Sequence, residues 1–297
     1  MKIHAICLVK NEADIIKECL LSAIRWCDHI YVLDNGSDDG TWETVCELAK
    51  RFKEIIPYQQ KFCPFDDALR GEVFDHYRNQ SSIGDWWCRL DADEIYIDDP
   101  RIFLAKIPAK YTAVTSSSFQ YYFTDKDVDH FKQDPAFYAD DVSVHIKCRY
   151  YLNNHGELRF VRHTKKFLWE PTLAWPRDIG RFYPVRIWLK HFQYRSPQQI
   201  QKRLDIRREP SLRGAGFEHE LKRNWINYIT RSLKSGSQEM DINSNFLWEK
   251  KIIDADKLHF DAHDRRFVYS ENLLPPIRSG IIVTWVRKII CNLRNSF

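Results

Sequence analysis

The stretch Trp86–Tyr96, WWCRLDADEIY, places three carboxylates, Asp91, Asp93 and Glu94, within four residues directly after an apolar, aromatic run. The run DWWCRLD, residues 85–91, has the texture of a buried strand. Carboxylates repel one another and lose hydration when buried, so a strand that ends this way needs a positive partner. In extended backbone Asp91 and Asp93 project to one side and Ala92 to the other. Two carboxylates on one side suit a hard divalent cation such as Mg2+ or Mn2+, which often shares its oxygen ligands with substrate phosphates. The plainer alternative is a solvated acidic turn beside a strand.

Upstream, apolar runs of strand length alternate with helical patterns. Ile3–Val9 reads as a strand, and residues 13–27 carry apolar Ile15, Ile16, Cys19, Leu20, Ala23 and Ile24 at helical spacing. His29–Asp34 is a second strand, followed by the turn NGSDDGT with Asp39 or Thr41 as helix cap, and then a helix from Trp42. A short strand near residues 54–59 and a helix over 66–82 precede the acidic strand. This alternation predicts a parallel, doubly wound sheet. In such sheets ligands lie beyond the carboxyl ends of the strands. The polar strand ends here are Lys10, Asn11 and Glu12; Asp34, Asn35, Gly36 and Ser37; and Asp91, Asp93 and Glu94.

From Tyr111 the texture changes. Residues 111–123, 142–152 and 158–169 read as longer antiparallel or mixed strands, and the acidic segment 124–141 as a surface loop. From Ser196 the chain reads as helical, with a Ser cap and Pro197 opening one helix and residues 219–236 forming another. The expected division is a catalytic domain over 1–195, in halves 1–97 and 98–195, and a helical extension over 196–297. The tail 277–297 has Arg278, Arg287, Lys288 and Arg294, no acid, and an apolar stripe. It reads as a basic amphipathic helix that suits an anionic membrane surface or packing onto protein.

The segments CLVKNEADIIKECLLSAIRWCDHIYVLDNGSDDGT and RNQSSIGDWWCRLDADE, in this order, resemble the nucleotide-sugar-binding half of a family 2 glycosyltransferase with the GT-A fold. The resemblance covers residues 2–97 and returns weakly at WLKHFQYRSPQQIQKRL, similar to bacterial members that build surface glycans. It implies that Asp34, with Ser37 beside it, meets the nucleotide base, and that Lys10, Asn11 and Glu12 line the nucleoside pocket. It also implies that Arg78 and Asn79 lie near the ribose and diphosphate, and that Asp91 and Asp93 hold the metal, Mn2+ or Mg2+, on the diphosphate. His191 matches a position that completes the metal shell or touches phosphate. On the residues alone, Asp34 also reads as a turn former, Arg78 as a surface arginine, Glu94 as a structural acid and His191 as a hydrogen-bonded core histidine. Inverting transfer, the family's usual outcome, needs a general base. The sequence departs from the family pattern there: Glu157 is the first candidate, then Glu170 and Asp178. The implied donor is a nucleotide sugar, foremost a UDP-sugar, and the acceptor a surface glycan or lipid-linked precursor.

Composition narrows the alternatives. With 297 residues, 44% hydrophobic, the chain can build one large α/β domain with an appendage. A net charge of +4 is too mild for nucleic-acid binding. The eight cysteines show no C-x-x-C spacing, and no apolar run reaches the roughly 18 residues of a membrane span. The N-terminus lacks a signal-peptide pattern, so the expected location is the cytoplasm, free or peripheral on the inner membrane face. A phosphohydrolase with Asp91 as nucleophile and a catalytically silent nucleotide-binding module are the competing classes; DADEI lacks the Thr or Gly expected after the second Asp in the former.

Overall fold

The computed structural model describes residues 1–63, 65–212 and 248–277. The predicted helix over 219–236 and the basic tail beyond Ile277 lie outside the described residues. In chain order the main elements are β1 Ile3–Val9, α1 Ile16–Ala23, β2 His29–Asp34, α2 Thr41–Ala49, β3 Ile55–Gln60, α3 Leu69–Tyr77, β4 Trp86–Asp91 and β5 Glu94–Tyr96. They continue with α4 Pro100–Ala105, β6 Ala113–Tyr122, α5 Asp125–Gln133, α6 Val144–Lys147, β7 Tyr150–His155, β8 Leu158–Arg162, β9 Ile187–His191, α7 Pro197–Leu212 and β10 His259–Phe260.

All seven residues of β1 are buried because parallel strands are covered on both faces. Alternation sorts them. Ile3, Ala5, Cys7 and Val9 pack with Ile16 and Leu20 of α1 and Val45 and Leu48 of α2. Ile6 and Leu8 pack on the other face with Val73 and Phe74 of α3 and with Phe167 and Trp169. β1 lies between β2 and β4, parallel to both, and β3 extends the sheet beyond β2. β8 runs antiparallel to β4, and β6 antiparallel to β8. The result is the mixed α/β sheet of a GT-A-like fold.

The described chain forms two compact units. One comprises Met1–Phe119, Asn153–His191 and the segment from Tyr269; the other comprises Gln120–Leu152 and Phe192–Val268. In the second unit β10 pairs antiparallel with the start of β7. Its α7 starts as the sequence predicts, with Ser196 Oγ accepting from the Gln199 N–H at 3.1 Å.

Several expectations need correction. The acidic segment after Tyr122 is not a loop but contains α5, because Thr124 and Asp127 form a reciprocal capping box that outweighs the polar composition. Residues 142–152 are not one strand: Ser143 caps α6, and only Tyr150 onward is extended. β8 stops at Arg162, and α3 spans Leu69–Tyr77 rather than 66–82. At α2 the cap position is Gly40, while Asp39 Oδ1 accepts from the Thr41 N–H at 3.1 Å. Among the described residues no helix is long and apolar enough to cross a membrane.

At the amino end of the parallel strands, His4 is fully buried. It stacks on His29 at 5.0 Å and on Trp87 at 4.8 Å, with Nδ1 3.2 Å from the Tyr31 hydroxyl and Nε2 3.9 Å from Asp85. Burial, then the neighbouring His29, lowers its pKa from 6.5 to about 4, against the pull of Asp85 and Asp28. Between those values the unfolded chain binds the proton and the folded chain does not, so stability rises with pH across this window. Denaturant melts at pH 7 and pH 4 should differ by up to about 3 kcal/mol from this group. His4→Phe should flatten that part of the profile, and an unchanged profile would exclude His4 as its source.

Candidate active site

The parallel register brings three strand ends to one edge: Val9 pairs with Asp34, and Leu8 with Asp91. The loops after β1 and β2 are zipped together. The Asn11 N–H donates to Ser37 Oγ at 2.8 Å, the Asp38 N–H to Asn11 Oδ1 at 2.9 Å, and the Glu12 N–H to Thr41 Oγ1 at 2.9 Å. Lys10 Nζ donates to the Asn35 carbonyl at 3.1 Å. Asn11 adopts φ +55°, a left-handed conformation that Asn tolerates better than most residues.

Asp34 is fully buried. Its Oδ1 accepts the Gly36 and Ser37 N–H groups at 2.9 and 2.7 Å, so the turn-forming role is realised. Its Oδ2 is buried without a hydrogen-bond partner. Gln60 lies across this corner, with Nε2 3.4 Å from Asp34 Oδ1 and 3.2 Å from the Ser37 carbonyl.

Around Asp91 the chain assembles three buried or nearly buried arginines. Arg70, in the first turn of α3, pairs with Asp67 and, at 2.5 Å, with Asp91 Oδ1. Arg159 of β8 lies 3.1 Å from Asp91 Oδ2, pairs with Glu94, and reaches Glu157 at 2.9 Å. Arg89 approaches Asp67 at 3.2 Å and Glu157 at 3.4 Å, and stacks over Trp175 at 4.2 Å. Burial opposes ionisation of Asp91, but Arg159, Arg70 and Arg89, in that order, hold its carboxyl below the ordinary carboxylate range. Glu157 is partly buried, and Arg159, His155 and Arg89 pull it well below that range. Burial pushes Glu94 the other way, well above it, against Arg159.

The pair Asp91 and Asp93 does not sit in one extended segment. β4 ends at Asp91, and Ala92 and Asp93 turn the chain into β5. Asp93 faces a different partner. Because β5 and β9 pair with Glu94 opposite His191, His191 Nε2 lies 3.3 Å from Asp93 Oδ2. His191 Nδ1 is buried without a hydrogen-bond partner. A carboxylate oxygen and an imidazole nitrogen facing one another fit a divalent cation. Asp91 is committed to guanidinium groups, and among the described residues no group of three or more His, Cys, Asp or Glu is arranged around a metal position. Asp93 and His191 would supply two ligands to such a cation, and substrate oxygens would have to supply the rest.

The other predicted residues separate. Glu157 joins the cluster beside Asp91. Glu170 is partly exposed, 4.0 Å from Arg177, and its backbone covers Gly71, where a Cβ would strike the Glu170 carbonyl. Asp178 is exposed in a loop whose Ile179 carbonyl meets Thr112 at the start of β6. That point is level with Trp87, through Ala113 and Val161, about 13 Å of strand before Asp91. Arg78 and Asn79 also lie away from the acids. α3 starts beside Asp91 at Arg70 and runs back toward the amino ends of the strands, so Arg78 is roughly 12 Å further along. There it is half-exposed and pairs with Asp75 at 3.5 Å. The α3 arginine that stands beside Asp91 is Arg70.

The sequence model described as "Glycosyl transferase family 2" matches residues 5–168. The chain belongs to glycosyl transferase family 2. No curated protein matches it. Among solved structures, the family 2 chain is similar to TarS of S. aureus at 15% identity and a TM-score of 0.28, over 42% of this chain and 22% of that one. It is similar to the mannosyltransferase PcManGT of Pyrobaculum calidifontis, solved with GDP-Man and Mn2+, at 14% identity and a TM-score of 0.37. That match covers 72% of this chain and 64% of the mannosyltransferase. The family 2 chain thus spans about a fifth of the TarS chain and under two thirds of the mannosyltransferase.

Proposed function

We propose that this family 2 chain transfers a sugar from a nucleoside-diphosphate sugar, foremost a UDP-sugar, to a hydroxyl acceptor with inversion at the anomeric carbon. The observation that carries the reading is the meeting of Asp34, Asp91 and Asp93 at one carboxyl edge, with the imidazole of His191 turned to Asp93. Asp34, with its second oxygen lacking a partner, accepts from the nucleotide base once Gln60 yields. Lys10, Asn11, Glu12 and Ser37 shape the nucleoside pocket. Asp93 and His191 hold Mn2+ or Mg2+. A divalent cation there would offset the charge that grows on the leaving nucleoside diphosphate. Asp91 and the arginines around it form the rigid wall behind that position.

Of the three base candidates only Glu157 stands beside Asp91. Its arginine partners keep it ionised at neutral pH, ready to accept a proton but only weakly basic while they hold it. The acceptor class proposed is a surface glycan or lipid-linked precursor, and the catalytic portion is residues 1–195. The phosphohydrolase alternative is opposed by Asp91 itself, because both of its oxygens are held by guanidinium groups.

The test is a thermal-shift screen of UDP-, GDP-, CMP- and dTDP-sugars, each with and without Mn2+. One nucleotide should raise the melting temperature in a metal-dependent manner, with about 2.7 kcal/mol of stabilisation at a hundredfold excess over Kd. A folded sample that responds to none would overturn the reading.

A further inference from the structure

Phe62 is 78% exposed, more than any other large hydrophobic residue among those described. Yet the backbone that carries it is firmly tied. The buried Asn35 side chain donates to the Lys61 carbonyl at 3.1 Å and the Cys63 carbonyl at 2.8 Å, spanning Phe62 on both sides. The Lys61 N–H donates to the Asp34 carbonyl at 2.7 Å. Beneath the ring lies Gly36, at φ +78°, where a Cβ would come within 2.7 Å of Phe62 Cδ1 and 3.3 Å of its Cα. A buried amide and a glycine thus hold an apolar ring that hides little of its own surface from water. The ring stands on the same Asp34–Gly36 segment whose carboxylate keeps one buried oxygen without a partner.

We propose that Phe62 is the base-stacking residue of the donor site: the nucleobase lies on its π-face while the base edge turns to Asp34. This rests on the nucleotide-sugar reading above and adds a base-binding residue to it. A flat ring accepts any base, so Phe62 supplies affinity for a nucleobase in general, and Asp34 selects among base edges by requiring a donor.

The experiment is titration calorimetry of the full chain with UDP, GDP and inorganic pyrophosphate, each with Mn2+. Phe62→Ala and Phe62→Leu, which keeps bulk without a π-face, should bind the preferred nucleoside diphosphate about 10-fold more weakly and pyrophosphate as wild type does. Phe62→Tyr should restore nucleotide affinity. Equal weakening toward nucleotide and pyrophosphate would mark a structural role and overturn the proposal, as would unchanged nucleotide affinity in Phe62→Ala. A wild-type chain that binds neither nucleoside diphosphate would instead overturn the donor reading on which the proposal rests.

Discussion

Arg159→Met should destabilise the protein by about 3–5 kcal/mol, the cost of leaving buried charges without their partner. One guanidinium serves Asp91, Glu94 and Glu157, and its side chain is almost entirely buried. Glu94 Oε2 already has no hydrogen-bond partner, so Arg159 is its main compensation. Without it, Asp91 keeps Arg70 and Glu157 keeps Arg89, while Glu94 keeps no cation among the described residues. The denaturant midpoint at pH 7 reads the loss. Adding Glu94→Gln to Arg159→Met should recover part of it by removing the charge with the weakest support. A loss below about 1 kcal/mol, the range of an exposed pair, would mean that the cluster is solvated and dispensable.

Asp93→Asn should lower sugar transfer by about 10²–10³ while leaving the melting temperature near wild type. That magnitude is typical for removing one preorganised electrostatic group from a reacting site. Asp93 sits in a turn and faces His191 across the β5–β9 pairing. The carboxamide keeps the shape and removes the charge. Rate measured against Mn2+ concentration, at saturating donor, should show a higher metal requirement in Asp93→Asn and in His191→Ala. Near-wild-type turnover at low Mn2+ would sink the assignment. Asp91→Asn is the contrast: with both oxygens on arginines, it should change stability more than metal requirement.

Much of the parallel half is legible in the sequence, because β1, β2 and α1 carry uninterrupted strand or helix periodicity and polar residues crowd their carboxyl ends. The partners of Asp91 are harder to read. Arg70 comes from 21 residues upstream and Arg159 from a strand in the antiparallel half. A weak signal exists: Arg89 alternates with Asp91, and Glu157 with Arg159, at the two-residue period that puts side chains on one face. Arg78 drew attention through its motif, but the direction of α3 carries it to the opposite edge. α5 was masked by its acidity, since composition speaks to solvation while the Thr124–Asp127 box speaks to geometry.

The pairing of β5 with β9 has a consequence for how this chain tolerates length changes. β5 has only three residues, and Glu94, Ile95 and Tyr96 are matched with His191, Lys190 and Leu189. Strand side chains alternate sides, so adding or deleting one residue in β9 before His191 would swing its imidazole to the other face of the ribbon. Composition, charge and every residue identity around the acids would survive such a change, yet Asp93 would lose its imidazole. The pairing of Asp93 with His191 is therefore encoded as a residue count along a strand far downstream, which a search for the acidic motif alone would pass over.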